Sequence, residues 1–518
     1  MRRFRLTKAA KVLIMILVLT LVGGGVFAGF KTGFITNDKK ITSSSKPEYD
    51  DNGNVMNFDT ENDAAINISL DEWIGWKSIL DSKNAGIYDD LGIEVNISVI
   101  NDATQSSNAL IKGDLNAAGY TINRTAFLSN KFTEAGVDIV MPFITNYSNG
   151  GDGIIAKSNI KSVEDLVDAK IGVPEFSEAQ TLVVWFVNNS DLSQKEKDKI
   201  IDNLILFSTP DDAAKAFFAG QVDVAATWEP YLTQAENMTD CHILFDTSAS
   251  TSLVMDGIVF RKDFVEKNPE VVEKFIQGTL MGAEMYDTEF DAIRNVMPMF
   301  STASDKDIVD NCVSAKLTTW KDNVDLLNGT AKDIYKDMCK IWSSIGEEVN
   351  ADIVDDIFVD TYVQNVSEHF SSTEVSKTEK VAVTEENKQQ VIDAESLLKK
   401  STTVNFVMST AKFVDSADAA KKLDDFIKVA KVLDGAIIEI AGNTVPSAND
   451  PDDSLNKKLS LQRAETVKQY FVLNGISADR IVTVGNGSSN PIVKNDTEEH
   501  MSMNRRTDVS FKIIDNNN

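Results

Sequence analysis

The sequence predicts an α/β protein built from a large region and a smaller C-terminal one, with an N-terminal membrane helix. The first observation is that short apolar segments alternate with helical patterns through the middle of the chain. The second is a smaller alternation of the same kind near the C-terminus. The third is an uncharged apolar run close to the start. Strands that alternate with helices are typical of parallel sheets with helical crossovers.

The apolar run extends from Val12 to Phe30 and follows several basic residues. A run of this length can span a bilayer, and its basic flank is expected to stay in the cytoplasm. The tripeptide Val26-Phe27-Ala28 also fits a signal-peptidase site, so cleavage stays an alternative. We expect an uncleaved anchor within residues 1–40, followed by a polar linker over residues 41–65.

The chain has 518 residues and a net charge of −28. Because its N-terminal segment is basic, the remainder is more acidic still, which disfavours nucleic acid and anionic membrane surfaces as partners. Its few cysteines and histidines show neither a disulfide framework nor metal-ligand spacing, although one disulfide would be possible. They are Cys241, Cys312, Cys339, His242, His369 and His500. We therefore expect no metal, no cofactor and no catalytic constellation.

Nine apolar segments in the middle region have the length and composition of strands. They are INISL, GIEVNISVI, NAAGYT, VDIVMPFI, GDGIIA, KIGV, NLILF, VDVAATW and SLVMDGIVF. In parallel α/β sheets, small ligands bind beyond the carboxyl ends of strands, beside helix N-termini. The candidate ligand-binding residues are therefore those that follow strands, namely Trp73, Trp76, Thr121, Ser177, Gln180, Trp228 and Glu229.

These candidates allow more than one ligand chemistry. Ser177 with Gln180 is a capping-box pattern that opens a helix after KIGV, where free backbone donors would suit an anion. An ordinary helix start is equally consistent with that pattern. The tryptophans suit an aromatic clamp or a core position. Glu229 would repel an anion and favour an amine, so zwitterionic or cationic ligands, or a pyrimidine, stay open.

The middle region resembles the extracytoplasmic solute-binding proteins of ABC importers, in particular the nitrate/sulfonate/taurine group. The resemblance rests on Trp73 and on three stretches: SNGGDGIIAKSNIKSVEDLVDAKIGVPEFSEAQTLVVWF, AAKAFFAGQVDVAATWEPYL and GIVFRKDFVEKNPE. It implies a bilobed periplasmic-binding-protein fold of type II over residues 66–370. One lobe would comprise 66–148 and 252–365, and the other 152–248, closing on a small molecule. An ABC permease is the implied partner.

Other functions remain as alternatives. The same fold includes thiamine-pyrimidine synthases that consume an active-site histidine, but neither His242 nor His369 suits that role. A stator-like motility protein would need an Asp within the membrane helix, and Val12 to Phe30 contains none. A cell-envelope scaffold or sensor with a degenerate cleft is a further alternative.

After a polar spacer over residues 371–398, the C-terminal region contains a helix pattern in which Ser460 is the expected N-cap and Gly475 the stop. Arg463 would then lie in the first turn, where a cation opposes the helix dipole and indicates an anionic partner. Arginine also pairs with carboxylates in a bidentate fork. An ion pair of Arg463 with Asp452 or Asp453 is the simpler interpretation.

Residues 399–518 resemble the small α/β OmpA-like peptidoglycan-binding domain. The matching residues are Asn456, Leu459-Ser460, Arg463-Ala464, Gly475-Ile476, Gly485, Gly487, Asn495, Thr497 and Asn504-Arg505-Arg506. The resemblance implies a wall-peptide site that includes Asn443, Thr444, Asn456, Arg463, Asn504 and Arg505. In the family, an Asp follows Thr444 and holds the amine of diaminopimelate, while the helix arginine holds a carboxylate.

The chain departs from this pattern because Val445 stands where that Asp is expected. Asp450, Asp452 and Asp453 follow in the next loop and could substitute for it. The predicted protein is thus an extracytoplasmic solute receptor, tethered to the membrane by its N-terminal helix and associated with peptidoglycan.

Overall fold

The computed structural model describes residues 48–49, 55–57, 62–285, 290–370, 382–447 and 449–513. The expected membrane helix, Val12 to Phe30, lies outside these residues. Within the described part of the chain, no helix has the length and hydropathy of a membrane span. Strands Glu48–Tyr49 and Val55–Asn57 form a short antiparallel pair ahead of the main body.

The first lobe is built on a mixed sheet. Its strand order is Ala315–Leu317, Ile144–Ser148, Met255–Arg261, Ala117–Thr121, Ile66–Leu70 and Val95–Val99, with Ile139–Val140 paired to Met255–Arg261. The last three strands in this order are parallel, and the others pair antiparallel. Its α-helices are Lys77–Asn84, Ile87–Asp90, Ala103–Lys112, Ile122–Glu134, Lys262–Lys267, Pro269–Ala283, Phe290–Val296, Asp305–Cys312, Trp320–Asp325, Ala331–Ser344, Val354–Ile357 and Thr361–Asn365.

The second lobe contains a five-stranded sheet in the order Ile205–Phe207, Ile171–Pro174, Val224–Trp228, Asp152–Lys157 and Cys241–Asp246. Its α-helices are Glu178–Asn188, Gln194–Asp202, Pro210–Phe218 and Tyr231–Glu236. The chain enters this lobe after strand Ile144–Ser148 and returns to the first lobe before strand Met255–Arg261. The fold therefore has the two α/β lobes expected from the sequence, joined by two short crossings.

The prediction of parallel sheets is only partly confirmed. Strand Asp152–Lys157 pairs antiparallel with both of its neighbours, as does the return strand Met255–Arg261. Strands Cys241–Asp246 and Ala315–Leu317 were missed by the sequence analysis. The segment VDIVMPFI divides into Ile139–Val140 and the start of Ile144–Ser148, with Pro142 between them, because proline cannot donate to a sheet ladder.

The C-terminal domain contains a four-stranded sheet in the order Leu398–Thr402, Thr507–Lys512, Ile437–Asn443 and Ile481–Gly487. Its α-helices are Lys388–Asp393, Ser416–Val432, Ser454–Leu473 and Glu498–Asn504. The long helix Ser454–Leu473 ends before Gly475, whose φ of 92° is the left-handed conformation expected of a helix stop. The small α/β domain expected from the sequence is therefore present.

This C-terminal domain contacts the crossing between the two lobes. The carboxylate of Asp434 accepts hydrogen bonds from the backbone N and the Oγ1 of Thr251, each at 2.9 Å. The backbone N of Gly435 donates to the carbonyl of Ala249 at 3.1 Å. A side chain at Gly435 would clash with the backbone of Ser248, so glycine permits this close approach. The C-terminal domain is thus held against the second crossing between the lobes.

Candidate functional site

The cleft between the lobes is formed where strand ends from both sheets meet. In the first lobe, Asp71 follows strand Ile66–Leu70, and Thr121 ends the next parallel strand. Asp256 lies beside Thr121 in the ladder, at the start of the return strand. In the second lobe, Asp152 begins one strand and pairs in register with Trp228, which ends another. The fold therefore collects acidic and aromatic residues at one place.

Trp73 and Trp76 follow the first strand, as predicted, but their environments differ. Trp76 is fully buried, and its Nε1 donates to the carboxylate of Asp71 at 2.7 Å. Trp73 is also buried, and its Nε1 donates to Oδ1 of Asn146 at 2.9 Å. Trp76 thus belongs to the core of the first lobe, whereas Trp73 borders the cleft.

The rings of Trp73 and Trp228 face each other from opposite lobes. Their centroids are 6.4 Å apart, and their planes differ by 16°. The Nε1 of Trp228 is buried without a hydrogen-bond partner among the described residues. This pair has the geometry of an aromatic clamp at the cleft.

The carboxylate of Glu229 forms hydrogen bonds within its own lobe. Its carboxylate accepts hydrogen bonds from the backbone N and the Oγ1 of Thr233, at 3.1 and 2.9 Å. Burial raises the pKa of Glu229 above its ordinary value, and the bonds from Thr233 oppose that shift. Its observed contacts are therefore those of a local cap for helix Tyr231–Glu236.

Arg124, on the helix that Thr121 caps, bridges the lobes. The Oγ1 of Thr121 accepts from the backbone N of Arg124 at 2.9 Å. The guanidinium of Arg124 lies 3.2 Å from Asp71 and 3.3 Å from Glu178 of the second lobe. Burial opposes its charge, but Glu178 and Asp71 raise the pKa of Arg124 above its ordinary value. Arg124 is therefore charged and engaged on both sides.

The predicted N-cap at Ser177 is confirmed. Its Oγ accepts from the backbone N of Gln180 at 3.2 Å, while Oε1 of Gln180 accepts from the backbone N of Phe176 at 2.7 Å. Both side chains are buried. The first turn of this helix also contains Glu178, so a buried carboxylate already lies at the N-terminus where an anion was considered.

Four buried carboxylates, Asp71, Asp152, Glu178 and Asp256, form what we call the acidic cluster. Burial, followed by the charge of Glu178, raises the pKa of Asp152 to about 8. Burial, followed by Asp71, Asp152 and Glu178, raises the pKa of Asp256 well above its usual range. The cluster thus has four carboxyl groups for the single guanidinium of Arg124.

The sequence analysis did not single out the acidic cluster or Arg124. One signal was available, since Asp256 interrupts the otherwise apolar segment SLVMDGIVF, and a carboxylate in a predicted buried strand needs a partner. Glu178 was adjacent to the predicted cap. Nothing local indicated that these residues would meet, because they come from distant parts of the chain.

Two grooves lie on the lobes, away from the residues of the acidic cluster. A groove of about 560 Å³ lies on the second lobe, beside Phe207, Asp212 and Lys215. Another of about 200 Å³ lies on the first lobe, beside Lys262 and Tyr362. In the cleft the lobes already touch, as the stacked rings of Phe127 and Phe176 show, with centroids 4.4 Å apart. Charge and aromatic geometry therefore identify the candidate site.

In the C-terminal domain, the predicted position of Arg463 in the first turn of its helix is wrong. The helix begins at Ser454, because the carboxylate of Asp450 accepts hydrogen bonds from the backbone N of Leu455 and of Asn456. Ser460 is instead buried within the helix, where its Oγ accepts from the backbone N of Gly487 at 2.9 Å. The helix dipole therefore gives no argument for an anion at Arg463.

Arg463 nevertheless has an environment that suits an anion. Its guanidinium lies 4.9 Å above the ring of Phe406, and its Nε donates to the carbonyl of Thr410 at 3.1 Å. Burial and the charge of Arg505 both lower the pKa of Arg463. Among the described residues, no carboxylate forms an ion pair with Arg463, so the alternative pairing with Asp452 or Asp453 is not seen.

The acidic residues considered as substitutes for the missing Asp have other partners. Asp450 is buried against the helix start. Asp453 accepts hydrogen bonds from the backbone N and the Oγ of Ser488, both at 2.8 Å, and from Nδ2 of Asn456 at 3.0 Å. Asp452 is exposed and accepts from the Oγ of Ser454 at 3.0 Å. Their observed contacts are local.

The remaining residues of the motif hold the domain together. Asn443 donates to Asp508 at 3.1 Å, and Asn504 is fully buried with both its oxygen and its nitrogen bonded to the loop that precedes its helix. Thr444 is buried, and its Oγ1 lacks a partner in the described part of the chain. Arg505 pairs with Glu498 at 2.7 Å and is half-exposed. Arg463 and Arg505 are thus the accessible cations of this domain's motif.

The cysteines are free thiols in the structure, with Cys241 and Cys339 buried and Cys312 half-buried. No group of three or more His, Cys, Asp or Glu residues in the described ranges has the geometry to hold a metal ion. Burial raises the pKa of the Cys312 and Cys339 thiols to about 11.

Two family models match the chain. The model described as NMT1/THI5 like matches residues 78–287, and the model described as OmpA family matches residues 405–505. The first therefore lies on the two lobes, and the second lies on the C-terminal domain.

Curated relatives match part of this chain. Outer membrane protein A of Bordetella avium is 33% identical over 131 residues, which are 25% of this chain and 64% of that protein. The peptidoglycan-binding protein ArfA of Mycobacterium bovis is 44% identical over 61 residues, which are 12% of this chain and 19% of that protein. The chain thus spans less than two thirds of either relative.

Solved structures align with more than half of this chain. The periplasmic aliphatic sulphonate binding protein SsuA of Escherichia coli has a TM-score of 0.47 and 16% identity, covering 57% of this chain and 98% of that one. The periplasmic nitrate-binding protein NrtA of Synechocystis has a TM-score of 0.48 and 12% identity, covering 60% of this chain and 89% of that one.

Proposed function

Since the chain carries an NMT1/THI5-like domain followed by an OmpA-family domain, we propose that it is the extracytoplasmic substrate-binding component of an ABC importer, tethered to the cell wall. The observation that carries this proposal is the aromatic pair of Trp73 and Trp228. One ring comes from each lobe, so a small molecule between them would hold the lobes together. Such coupling of binding to domain closure is how a two-lobed receptor signals that it is loaded.

The proposed contacts for the solute are the two cleft tryptophans and the polar groups behind them. Trp73 is held by Asn146, which pairs with Asp256 in the neighbouring strand. The cleft also includes the ends of helices capped by Thr121 and Ser177. Trp76, Gln180 and Glu229 would support these groups, since each is already bonded within its own lobe.

The OmpA-family domain would bind peptidoglycan through Arg463 and Arg505. Both are cations, and Arg463 has no ion-pair partner in the described part of the chain, so a carboxylate of the wall peptide would supply one. Val445 cannot hold an amine, so this binding would be weaker than in domains that keep an Asp there. Asn443, Thr444, Asn456 and Asn504 would shape the site.

The proposed localisation is outside the cytoplasm, with residues 1–40 as a membrane anchor and the C-terminal domain at the wall. This arrangement would keep the receptor close to its permease. The net charge of −28 supports it, because an acidic body disfavours nucleic acid and anionic lipid surfaces.

The test is mass spectrometry of the small molecules that co-purify with the full-length chain, followed by thermal melting with each candidate. A receptor should retain a solute that raises the melting temperature in proportion to its concentration. The absence of any retained solute, together with no shift from a broad panel of polar solutes, would instead support a scaffold with a degenerate cleft.

A further inference from the structure

The cleft contains a buried cluster of acidic groups. The acidic cluster is contributed by four separate elements of the two lobes, and each of its members is at least nine-tenths buried. Arg124 is the cation that these carboxylates share, and it is bonded to Asp71 and Glu178. Asp152 and Asp256 form no ion pair among the described residues, although the charge of Arg124 acts to lower the pKa of both. A buried carboxylate without an ion-pair partner is costly, and burial accordingly raises the pKa of both Asp152 and Asp256 unless a bound cation stabilises the ionised form.

A second observation shows which atom lacks its partner. The Oδ2 of Asp256 is buried and accepts no hydrogen bond from the described residues, although Asp256 is 3% exposed. Asp256 lies between Thr121 and Asn146 in the ladder, and Asn146 bonds the indole of Trp73. The vacant acceptor is therefore in the cleft, next to the aromatic pair.

Most groups that could hold an anion are already engaged, although the Nε of Arg124 and the Nε1 of Trp228 are buried without a hydrogen-bond partner among the described residues. Glu178 places a carboxylate in the first turn of helix Glu178–Asn188. Thr121 accepts from the first turn of helix Ile122–Glu134, and Arg124 is engaged by two acids. A nitrate or sulfonate that accepted from those two N–H groups would still lie beside Asp71 and Glu178, and like charges at short range repel strongly where water is excluded.

Resting on the proposed function as a solute receptor, we propose that the solute is a small organic cation that carries N–H donors, such as a protonated amine, amidine or guanidine. Its donors would bond Asp256 and Asp152, and its body would lie against the rings of Trp73 and Trp228. Indole rings attract cations through their negatively charged faces, which adds to the carboxylate contacts. A donor-bearing cation is favoured over a quaternary ammonium because the Oδ2 of Asp256 needs a hydrogen bond.

A cation in the cleft would also change protonation there. The charged groups that act on Asp152 and Asp256 are Asp71 and Glu178, both acidic, together with Arg124, and the buried phenol of Tyr120 interacts with Arg124 and Asp71. Because burial and the neighbouring acids raise the pKa of Asp152 to about 8, it is largely protonated near neutral pH when the cleft is empty. A bound cation stabilises the carboxylate, so binding should release protons and become tighter as the pH rises from 6 to 8.

The experiment is isothermal calorimetry of the full-length chain with agmatine and putrescine as cations, choline as a quaternary ammonium, and nitrate and methanesulfonate as anions. Agmatine or putrescine should bind with proton release, measured by repeating the titration in buffers of different ionisation enthalpy. Asp256→Asn should weaken this binding at least ~10-fold. Asp89→Asn, on the exposed surface of the same lobe, is the matched control and should bind as the wild type does.

Asp152→Asn provides a second variant and should also weaken binding, which keeps the test valid if Asp256→Asn fails to fold. Binding of nitrate or methanesulfonate but of no cation would overturn this inference and leave the receptor function intact. Choline binding as tightly as agmatine would overturn the requirement for N–H donors. If Ca²⁺, Mg²⁺ or Zn²⁺ stabilises the wild type but not Asp256→Asn, the proposal that the ligand is organic would be overturned. No binding of any probe and no co-purified solute would overturn both proposals.

Discussion

Arg124 of the first lobe and Glu178 of the second form a buried ion pair across the cleft, with Nη2 3.3 Å from Oε2. The same guanidinium also contacts Asp71, at 3.2 Å. This contact ties the two lobes at the base of the candidate binding site. The pair therefore lies where the two lobes and the acidic cluster meet.

Arg124→Met should destabilise the protein by about 3–5 kcal/mol, since it leaves buried carboxylates without their cation. Lys157→Met is the matched control, because the Lys157–Asp223 pair lies on the surface of the second lobe and should contribute at most ~1 kcal/mol. Urea unfolding of both variants measures the difference. Equal losses would show that the buried pair has no special role in holding the lobes.

The contribution of Asp152 to the free energy of unfolding should fall as the pH rises. The pKa of Asp152 is about 8 in the folded protein against an ordinary value of 3.8, so between these values the folded state binds more protons. Asp152→Asn removes this penalty, and its gain in stability over the wild type should grow between pH 5 and pH 8 by at least about 1.4 kcal/mol, the equivalent of one pKa unit.

Urea unfolding of the ligand-free chain at the two pH values checks this. Asp168→Asn, an exposed acid on the same lobe, is the control and should show no comparable growth. A constant difference between Asp152→Asn and the wild type would mean that Asp152 is not buried among like charges.

Trp228→Ala should weaken solute binding ~10-fold or more, because it removes one face of the aromatic pair. Met238→Ala, an exposed change on the same lobe, serves as the control. Calorimetry with the co-purified solute gives both affinities. Unchanged binding by Trp228→Ala would place the solute elsewhere.

Arg463→Ala should lower retention on purified sacculi ~10- to 100-fold, since a charge-assisted bond to a wall carboxylate contributes on the order of 1.5–3 kcal/mol. Val445→Asp should increase retention by restoring a partner for an amine. Lys458→Ala, exposed on the same helix, is the control for general charge. Sedimentation of the full-length variants with sacculi decides, and equal retention of all of them would reject this site.

The native protein should keep residues before Ala28, because the run from Val12 to Phe30 is long enough to span a bilayer. Mass-spectrometric sequencing of the N-terminus in the membrane fraction tests this. A start at Gly29, with the protein in the soluble fraction, would mean that the segment is a cleaved signal.

Local patterns allowed much of the fold to be predicted. The strands in INISL, NAAGYT and KIGV and the helix opened by Ser177 depend on neighbouring residues, whose periodicity and capping are readable in sequence. The predicted N-cap at Ser460 was wrong because the helix Ser454–Leu473 is capped by Asp450, which lies before the helix and accepts from the backbone N of Leu455 and of Asn456. That cap lies outside the usual spacing of side chain to helix start.

The sequence by itself determined that this chain has two α/β regions, where most of their strands lie, and which motif residues the C-terminal domain carries. Only the tertiary structure decided the strand directions, the pairing of Trp73 with Trp228 and the gathering of Asp71, Asp152, Glu178 and Asp256 around Arg124. The physical reason is distance along the chain. Hydrophobic periodicity and capping act over a few residues, whereas the charge balance of a cleft depends on side chains that meet only after both lobes have folded.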